Sequence, residues 1–244
     1  MKPKIYVVGF GPGERPYMTQ QAVDAMTQAD LVVGYTTYVC LLEKQFPELQ
    51  YYATPMRKET DRCRAAVEAA LTGKTVALVS SGDSGIYGMA GVLLEIAAEM
   101  QADVEVTAVA GVTAASAAAA VLGAPLMHDF AVISLSDCMT PLEQIYRRVA
   151  LAAEADFVLC LYNPSSKKRA DYLRRACEIV RRFRQAETPA GVVREIGRAG
   201  ESHALMTLEE LQEYRADMFT TVFIGNSQTK ILNGRLVTPR GYRT

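Results

Sequence analysis

The chain has 244 residues, of which 50% are hydrophobic and 22% are charged, and its formal net charge at pH 7 is −1. This length allows one large domain or two smaller ones, each with its own core. The balanced charge gives no support to nucleic-acid binding, which usually requires a basic excess.

Short β-branched runs alternate with segments of helical period in the first half of the chain. KIYVV predicts a first strand, and Thr19 can serve as the N-cap of the helix that follows. Residues 31–34 and 75–81 predict further strands, and between them apolar residues at positions 63, 66, 67, 70 and 71 form one helical face. A helix from about 86 to 100, the strand VEVTAVAG and an alanine-rich helix complete this half. Strands joined by crossover helices predict a parallel sheet covered on both faces.

The tract LGAPLMHDF interrupts this pattern with Gly123 and Pro125, and it predicts a boundary between an N-terminal domain, 1–122, and a C-terminal domain, 123–244. Strand and helix signals resume beyond it, from AVISLS and DFVLCLY to FTTVFIGN and RLVTPRG. The last strands are joined by short connections, so we expect a mixed second sheet. The fold class is therefore two α/β domains, with a cleft between them as a common place for a ligand.

The first glycine loop, VGFGPGERPYMT, places Gly9, Gly11 and Gly13 directly after the first strand. A dinucleotide fingerprint needs G-x-G-x-x-G leading into a helix, with an acid at the end of the second strand. Here the third glycine comes one residue early and the second strand ends without an acid. No Gly-Lys-Ser/Thr follows, which excludes a P-loop. Two interpretations remain: a tight turn that needs positive φ, or a loop that lets a flat ligand lie close to the backbone.

A second glycine cluster, SSGDSGIYGMAG, also follows a strand and precedes a helix. At the carboxyl end of a parallel strand, Asp83 could accept hydrogen bonds from an ammonium group or from ribose hydroxyls. The competing interpretation is that Asp83 or Ser84 only caps the next helix. Spacing alone leaves both open.

Three of these segments together, GFGPGERPYMT, SSGDSGIYGMAG and AGVTAASAAAAVLGAP, resemble the S-adenosylmethionine-dependent tetrapyrrole methylases of cobalamin and sirohaem synthesis. The further motifs VVGYTTYV, GAPLMHDFAVISLSD, YNPSSKKR, GNSQT and TPRGY are similar to the branch that methylates C17 of a corrin precursor, precorrin-3B or cobalt-factor III, and contracts its ring. The resemblance covers nearly the whole chain. It implies two α/β domains with S-adenosylmethionine in the cleft between them, usually in a homodimer.

The resemblance also implies which residues form the site. The methyl-donor contacts carried over by position are Pro12, Ser81, Gly82, Asp83, Ile86, Thr113, Ala114, Tyr162 and Ile196. Because the substrate is a flat tetrapyrrole with many carboxylates, arginine and exposed amides suit it. The substrate candidates are Gly11, Arg57, Lys58, Ser136 and Arg240.

Methyl transfer from a sulfonium needs orientation and exclusion of water more than acid–base groups, so Asp83 is expected to bind rather than to react. Ring contraction does call for acid–base help. His128 and Asp137 are the candidates for that role, and His128 could instead approach a cobalt ion carried by the substrate. No other metal is expected.

Other functions stay open from the sequence. A sibling methylase could act at another ring carbon, and a tetrapyrrole- or donor-binding protein could lack turnover. A nicotinamide oxidoreductase is a third possibility. The sequence does not decide whether the substrate carries cobalt.

The cysteines and the apolar stretches indicate the compartment. The five cysteines show no metal-ligand spacing, and their odd number leaves one unpaired in any disulfide scheme. The opening MKPKIYVVG is too short in apolar residues for a signal-peptide core, and residues 112–126 are too few to span a bilayer. We therefore expect a cytoplasmic protein with reduced, mostly buried thiols and no membrane or nucleic-acid partner.

Overall fold

The structure is a computed structural model, and it describes residues 2–166 and 170–242. The last three residues of the YNPSSKKR motif, and the extreme ends of the two predicted domains, lie outside the described residues. The chain divides into two compact units, Met1–Ala114 and Ala115–Thr244. This division falls at the start of an alanine-rich helix, whereas the sequence places the boundary after Leu122, at the end of that helix. The later boundary stays a prediction.

Unit 1 contains a five-stranded sheet, four helices and a short 3-10 turn at Arg15–Tyr17. In chain order its elements are β1 (Lys4–Gly9), α1 (Gln20–Thr27), β2 (Leu31–Tyr35), α2 (Thr36–Glu43), β3 (Tyr51–Thr54), α3 (Glu59–Leu71), β4 (Val76–Ser80), α4 (Ala90–Glu99) and β5 (Glu105–Val109).

The strands of unit 1 lie in the order β3-β2-β4-β1-β5, and every neighbouring pair is parallel, which confirms the predicted parallel sheet. Side chains alternate between the faces of a strand, so Val7 and Leu78 pack with α3 and α4, while Val8 and Val79 pack with α1 and α2. All five strands run the same way, so their carboxyl ends share one edge. This carboxyl edge of sheet 1 is formed by Gly9, Tyr35, Thr54, Ser80 and Val109.

Unit 2 contains a mixed five-stranded sheet and a small three-stranded sheet. In chain order its elements are α5 (Ala114–Leu122), β6 (Gly123–Ala124), β7 (Phe130–Ser134), α6 (Leu142–Glu154), β8 (Val158–Tyr162), α7 (Tyr172–Val180), β9 (Pro189–Arg194), β10 (Ser202–Thr207), α8 (Leu208–Glu213), β11 (Thr220–Ile224), β12 (Lys230–Leu232) and β13 (Arg235–Val237). The small sheet has the order β12-β13-β6.

The larger sheet of unit 2 has the order β10-β9-β11-β8-β7, and its strand directions define two edges. Only β7 and β8 pair in parallel, and the antiparallel remainder confirms the predicted mixed sheet. Because β11 is antiparallel to both β8 and β9, the strands β7, β8 and β9 point the same way. Their ends, Ser134, Tyr162 and Arg194, form the carboxyl edge of sheet 2. The starts of β7 and β8 lie at the opposite edge, the amino edge, together with the end of β11.

Two local predictions for unit 1 are confirmed in detail and two need correction. Thr19 caps α1 by accepting the N–H of Ala22 at 3.1 Å, and the predicted apolar face of α3 is buried at positions 63, 66, 67 and 70. Leu71, however, ends the helix and is 50% exposed. Helix α4 begins at Ala90 rather than near 86, because Tyr87 has a left-handed φ of 54° that a helix does not allow.

All five cysteines are free thiols, as their spacing predicts. Cys63, Cys160 and Cys177 are buried, and Cys40 and Cys138 are exposed. Within the described ranges, no helix combines the length and the apolar character needed to cross a bilayer.

Candidate active site

Two glycine loops of unit 1 meet at the carboxyl edge of sheet 1. The N–H of Gly11 donates to the carbonyl of Gly82 at 3.0 Å, and the N–H of Gly82 donates to the carbonyl of Gly11 at 2.8 Å. These loops follow β1 and β4, which are neighbours in the sheet. Both glycines have positive φ, 83° and 72°, a conformation that residues with a Cβ rarely adopt. The tight turn with positive φ is therefore present in both loops.

A third loop, after β5, packs against these two through its own glycine. A Cβ at Gly111 would collide with the carbonyl oxygens of Gly9 and Gly82, and a Cβ at Gly9 would lie 2.7 Å from the carbonyl oxygen of Gly82. Backbone thus packs directly on backbone across three strand ends. We call Gly9, Gly11, Gly82 and Gly111 the glycine platform.

Asp83 holds the platform together through both oxygens of its carboxylate. Oδ1 accepts the N–H of Gly85 at 2.8 Å and that of Ile86 at 3.1 Å, while Oδ2 accepts the N–H of Gly111 at 2.9 Å. The side chain therefore closes the turn after β4 and ties it to the loop after β5. It does not cap α4, whose N-cap position is Met89.

The other residues of unit 1 that are expected to contact the methyl donor lie in the same three loops. Ser81 donates its hydroxyl to the carbonyl of Gly11 at 3.3 Å, and Pro12 is buried beside it in the chain. Ile86 is 42% exposed. Thr113 and Ala114 lie near Gly82, since a Cβ there would be 3.9 Å from the Cα of Thr113 and 4.0 Å from the nitrogen of Ala114. The structure thus brings the seven residues of unit 1 together.

Arg57 and Lys58 lie in the loop that follows β3, at the same carboxyl edge. Both are exposed, and Arg57 has a left-handed φ of 66°. Lys58 pairs with Asp61, with its Nζ 2.8 Å from Oδ2, and the hydrogen bond that Lys58 donates to that carboxylate raises the pKa of Lys58. Arg57 keeps an exposed guanidinium, which suits it to a carboxylate from solution.

Arg62, in the first turn of α3, is a buried cation that the sequence analysis missed. Only 3% of its surface is exposed. Its Nε donates to Thr54 Oγ1 at 2.9 Å, and an Nη2 donates to the carbonyl of Pro55 at 3.3 Å. Helical period is the signal that could have found it, because Arg62 precedes the buried Ala66 by four residues.

Unit 2 places Tyr162 at the carboxyl edge of sheet 2, where it meets the start of α5. The hydroxyl of Tyr162 accepts the N–H of Ala115 at 2.6 Å. Beside it, the hydroxyl of Ser134 accepts from Asn163 Nδ2 at 3.0 Å and from the N–H of Ser136 at 3.2 Å. The loop that carries Ser136 is therefore fixed to the loop that follows Tyr162.

Asp137 and Ile196 lie just beyond the same edge. Asp137 is exposed and its Oδ2 accepts the hydroxyl of Tyr172 at 2.8 Å. Ile196 lies two residues after the end of β9 and is 5% exposed. Because its side chain is buried, the backbone of Ile196 is the part of this residue that can meet a ligand.

His128 lies at the other end of unit 2, away from Asp137. It precedes β7, so it belongs to the amino edge of sheet 2, where it lines a depression of about 250 Å³ with Asp156 and Asn226. The four residue-to-residue steps of β7, at about 3.3 Å each, separate the two edges by roughly 13 Å. The structure therefore does not bring His128 and Asp137 into one constellation.

Arg240 is exposed and follows β13 of the small sheet. Two residues before it, Thr238 donates its N–H to the carbonyl of Ala124 at 3.1 Å. Among the residues described here, no three His, Cys, Asp or Glu side chains are grouped as metal ligands would be.

Known proteins are similar to this chain in sequence and in fold. The family model "Tetrapyrrole (Corrin/Porphyrin) Methylases" matches residues 4–212. A Salmonella typhimurium protein named probable cobalt-factor III C(17)-methyltransferase is 47% identical over 236 residues, 97% of this chain and 98% of its own. A Sinorhizobium protein named precorrin-3B C(17)-methyltransferase is 42% identical over 246 residues, 98% of this chain and 96% of its own. The crystal structure of the methyltransferase CobJ matches with a TM-score of 0.89 at 35% identity, covering 96% of this chain and 99% of that one.

Proposed function

This chain belongs to the tetrapyrrole (corrin/porphyrin) methylases, and from that membership we propose that it methylates C17 of a corrin precursor in cobalamin biosynthesis. Dependence on S-adenosylmethionine follows from the family. The observation that carries the proposal is the 47% identity to a relative of that name across 97% of this chain, which includes the motifs of both units.

The glycine platform suits the methyl donor because it presents peptide groups without intervening side chains. Gly11 and Gly82 have a positive φ that residues with a Cβ rarely adopt, and Asp83 fixes the loops around them. The residues that would hold S-adenosylmethionine are Pro12, Ser81, Gly82, Asp83, Ile86, Thr113, Ala114, Tyr162 and the backbone of Ile196.

S-adenosylmethionine supplies a methyl group that the positive sulfur already activates. The protein therefore has to orient the acceptor carbon and exclude water. A carboxylate held against the sulfonium would stabilise the ground state more than the transition state, where that charge fades. Asp83 fits this requirement, because backbone N–H groups occupy both of its oxygens.

Substrate recognition and ring contraction call for different groups. Arg57 and Lys58 would bind the carboxylates of the tetrapyrrole beside Gly11, with Ser136 and Arg240 as further contacts. Asp137 is the acid–base candidate that lies at the same edge as Tyr162. His128, at the amino edge, stays the second candidate for a proton transfer in the contraction.

We also propose a homodimer in the cytoplasm. The resemblance to the family implies the dimer, and the five unpaired thiols support a reducing compartment. Whether the substrate carries cobalt is the finer question, since the names of the two relatives differ on it.

The test is an anaerobic incubation of the protein with S-adenosylmethionine and either metal-free precorrin-3B or cobalt-factor III. Mass spectrometry follows the product, and NMR of the isolated product locates the new methyl group. One methyl gained at C17 on one substrate would support the proposal and identify that substrate. A methyl at another carbon, or no gain on either substrate, would overturn it.

A further inference from the structure

Arg62 is a buried arginine, and burial of its positive charge costs free energy. Burial of a charged side chain removes its water, and this desolvation lowers the pKa of Arg62. None of the ion pairs formed within residues 2–166 and 170–242 includes Arg62. Its position in the first turn of α3 adds no support, because a helix N-terminus favours negative charge.

The groups that the guanidinium contacts are neutral, and the charge of Glu59 offsets only part of the desolvation. Besides Thr54 and the Pro55 carbonyl, it donates to Met89 Sδ at 3.7 Å, and it lies over the Tyr35 ring, 5.9 Å from the ring centroid. Thr54 and Tyr35 end the adjacent strands β3 and β2. Arg62 therefore joins α3 and the start of α4 to two strand ends at the carboxyl edge of sheet 1.

Residues 55–58, here called the Arg57 loop, connect β3 to α3. Arg62 lies in α3, and its side chain binds Thr54 at the end of β3. The N–H of Arg62 also donates to the carbonyl of Lys58 at 2.9 Å. Arg62 thus binds both ends of the loop, Pro55 with its side chain and Lys58 with its backbone. Within the loop Arg57 keeps a left-handed φ, which costs free energy and persists only where the surrounding structure enforces it.

We propose that Arg62 is a positioning residue, which fixes the Arg57 loop so that Arg57 and Lys58 face the carboxylates of the substrate. The proposal rests on the proposed function, because it assigns those two residues to the tetrapyrrole.

Limited trypsin digestion tests the positioning without any substrate, because trypsin cleaves after Arg57 and Lys58. We expect R62M to be cut in the Arg57 loop about tenfold faster than the wild type, and T54V, which removes one acceptor, to be cut faster as well. The matched control is R64M, since Arg64 lies on the same helix but pairs with Glu99 in solvent. Cleavage of folded R62M or T54V at the wild-type rate would overturn the proposal.

Steady-state kinetics with whichever of the two substrates the wild type methylates test the functional part. R62M should raise KM about tenfold while kcat stays within twofold, and R57A should raise KM as well. The double variant R57A/R62M should have a KM no higher than the larger single effect, because loss of Arg62 already misplaces Arg57. Independent, multiplying effects on KM would overturn the proposal.

The proposal stays testable both if R62M does not fold and if the wild type has no activity. If R62M does not fold, R62K and T54V carry the same comparison, with R62K expected to lie between the wild type and T54V. If the wild type methylates neither substrate, the proposed function fails, and the digestion still decides whether Arg62 holds the loop.

Discussion

Asp83 is a residue to which the structure adds a role beyond ligand binding. The sequence suggests a ligand contact or a helix cap, whereas its oxygens accept three backbone N–H groups from two loops. In D83N, the amide oxygen can keep the bonds from Gly85 and Ile86, but the amide NH₂ then faces the N–H of Gly111. We expect a loss of about 1–3 kcal/mol in unfolding free energy, because one partly buried donor loses its acceptor.

Chemical denaturation of the ligand-free protein measures this loss, and titration with S-adenosylhomocysteine measures the accompanying loss of affinity, expected to be about tenfold. D103N is the control, because Asp103 is a surface acid whose side chain is 89% exposed. If D83N lost affinity at unchanged stability, Asp83 would be a ligand contact alone and the structural role would be wrong.

Asp137 and His128 differ by their place in unit 2, and this predicts unequal effects on ring contraction. Asp137 lies at the carboxyl edge of sheet 2 with Tyr162, and His128 lies at the amino edge. Removal of a general acid or base costs about 100-fold or more. We expect D137N to slow contraction by about 100-fold and H128N to slow it at least tenfold less.

The measurement is the ratio of contracted to merely methylated product in single-turnover reactions, since methyl transfer itself needs neither residue. D137N should accumulate the methylated, uncontracted product. A larger loss of contraction in H128N than in D137N would contradict the assignment by edge.

At the scale of elements, the start of α5 depends on a strand of its own unit. The first N–H groups of a helix have no partner within the helix, and the hydroxyl of Tyr162 accepts one of them, from Ala115. Y162F should therefore cost about 1 kcal/mol, as loss of a cap does, and lower Tm by about 2–4 °C for a chain of this size. Differential scanning calorimetry measures it, with the exposed Tyr242 changed to Phe as control.

The element pattern is predictable where local chemistry is strong. The β-branched runs at β1, β2, β4 and β8 and the Thr19 cap follow directly from the sequence. The short strand β3 and helix α2 were missed, because TTYVCLLE has no clear polar face and YYAT is only four residues long. The start of α4 was placed too early because Asp83 binds Gly85 and Ile86 in a turn that a helical pattern does not reveal.

The candidate site is predictable to the extent that its residues follow strands. Parallel strands bring their carboxyl ends to one edge, so the loops at 9–13, 80–86 and 110–114 had to meet. Arg62 was missed because a single charge on an apolar helical face looks like an irregularity. The separation of His128 from Asp137 was missed because it depends on which end of β7 each one occupies.

At the scale of the whole molecule, the five cysteines should react as two classes. Burial raises the pKa of Cys63 and Cys177 to about 12 and raises that of Cys160 as well. Thiolate is the reactive form, so at pH 8 these three thiols are both inaccessible and protonated. We expect only Cys40 and Cys138 to react rapidly with Ellman's reagent in the native protein.

Guanidinium chloride should make the remaining three thiols reactive as the protein unfolds. We expect one cooperative step for each unit. Peptide mapping after alkylation assigns the two rapid sites. Rapid labelling of Cys160 in the native protein would contradict the structure, because this residue lies in the central part of β8 with no exposed surface.

The glycine platform has a consequence for mutational scanning. The loops pack this closely because glycine has no Cβ. At Gly9 and Gly111 even a methyl group would overlap a carbonyl oxygen of a neighbouring loop. A scan that truncates side chains to alanine looks for lost contacts, so at these positions it measures added bulk instead. Small molecules cannot rescue such variants as they rescue a deleted side chain. Only a compensating shift of the neighbouring backbone could restore the contacts of the glycine platform. We therefore expect the sequences of the three loops to change together in evolution.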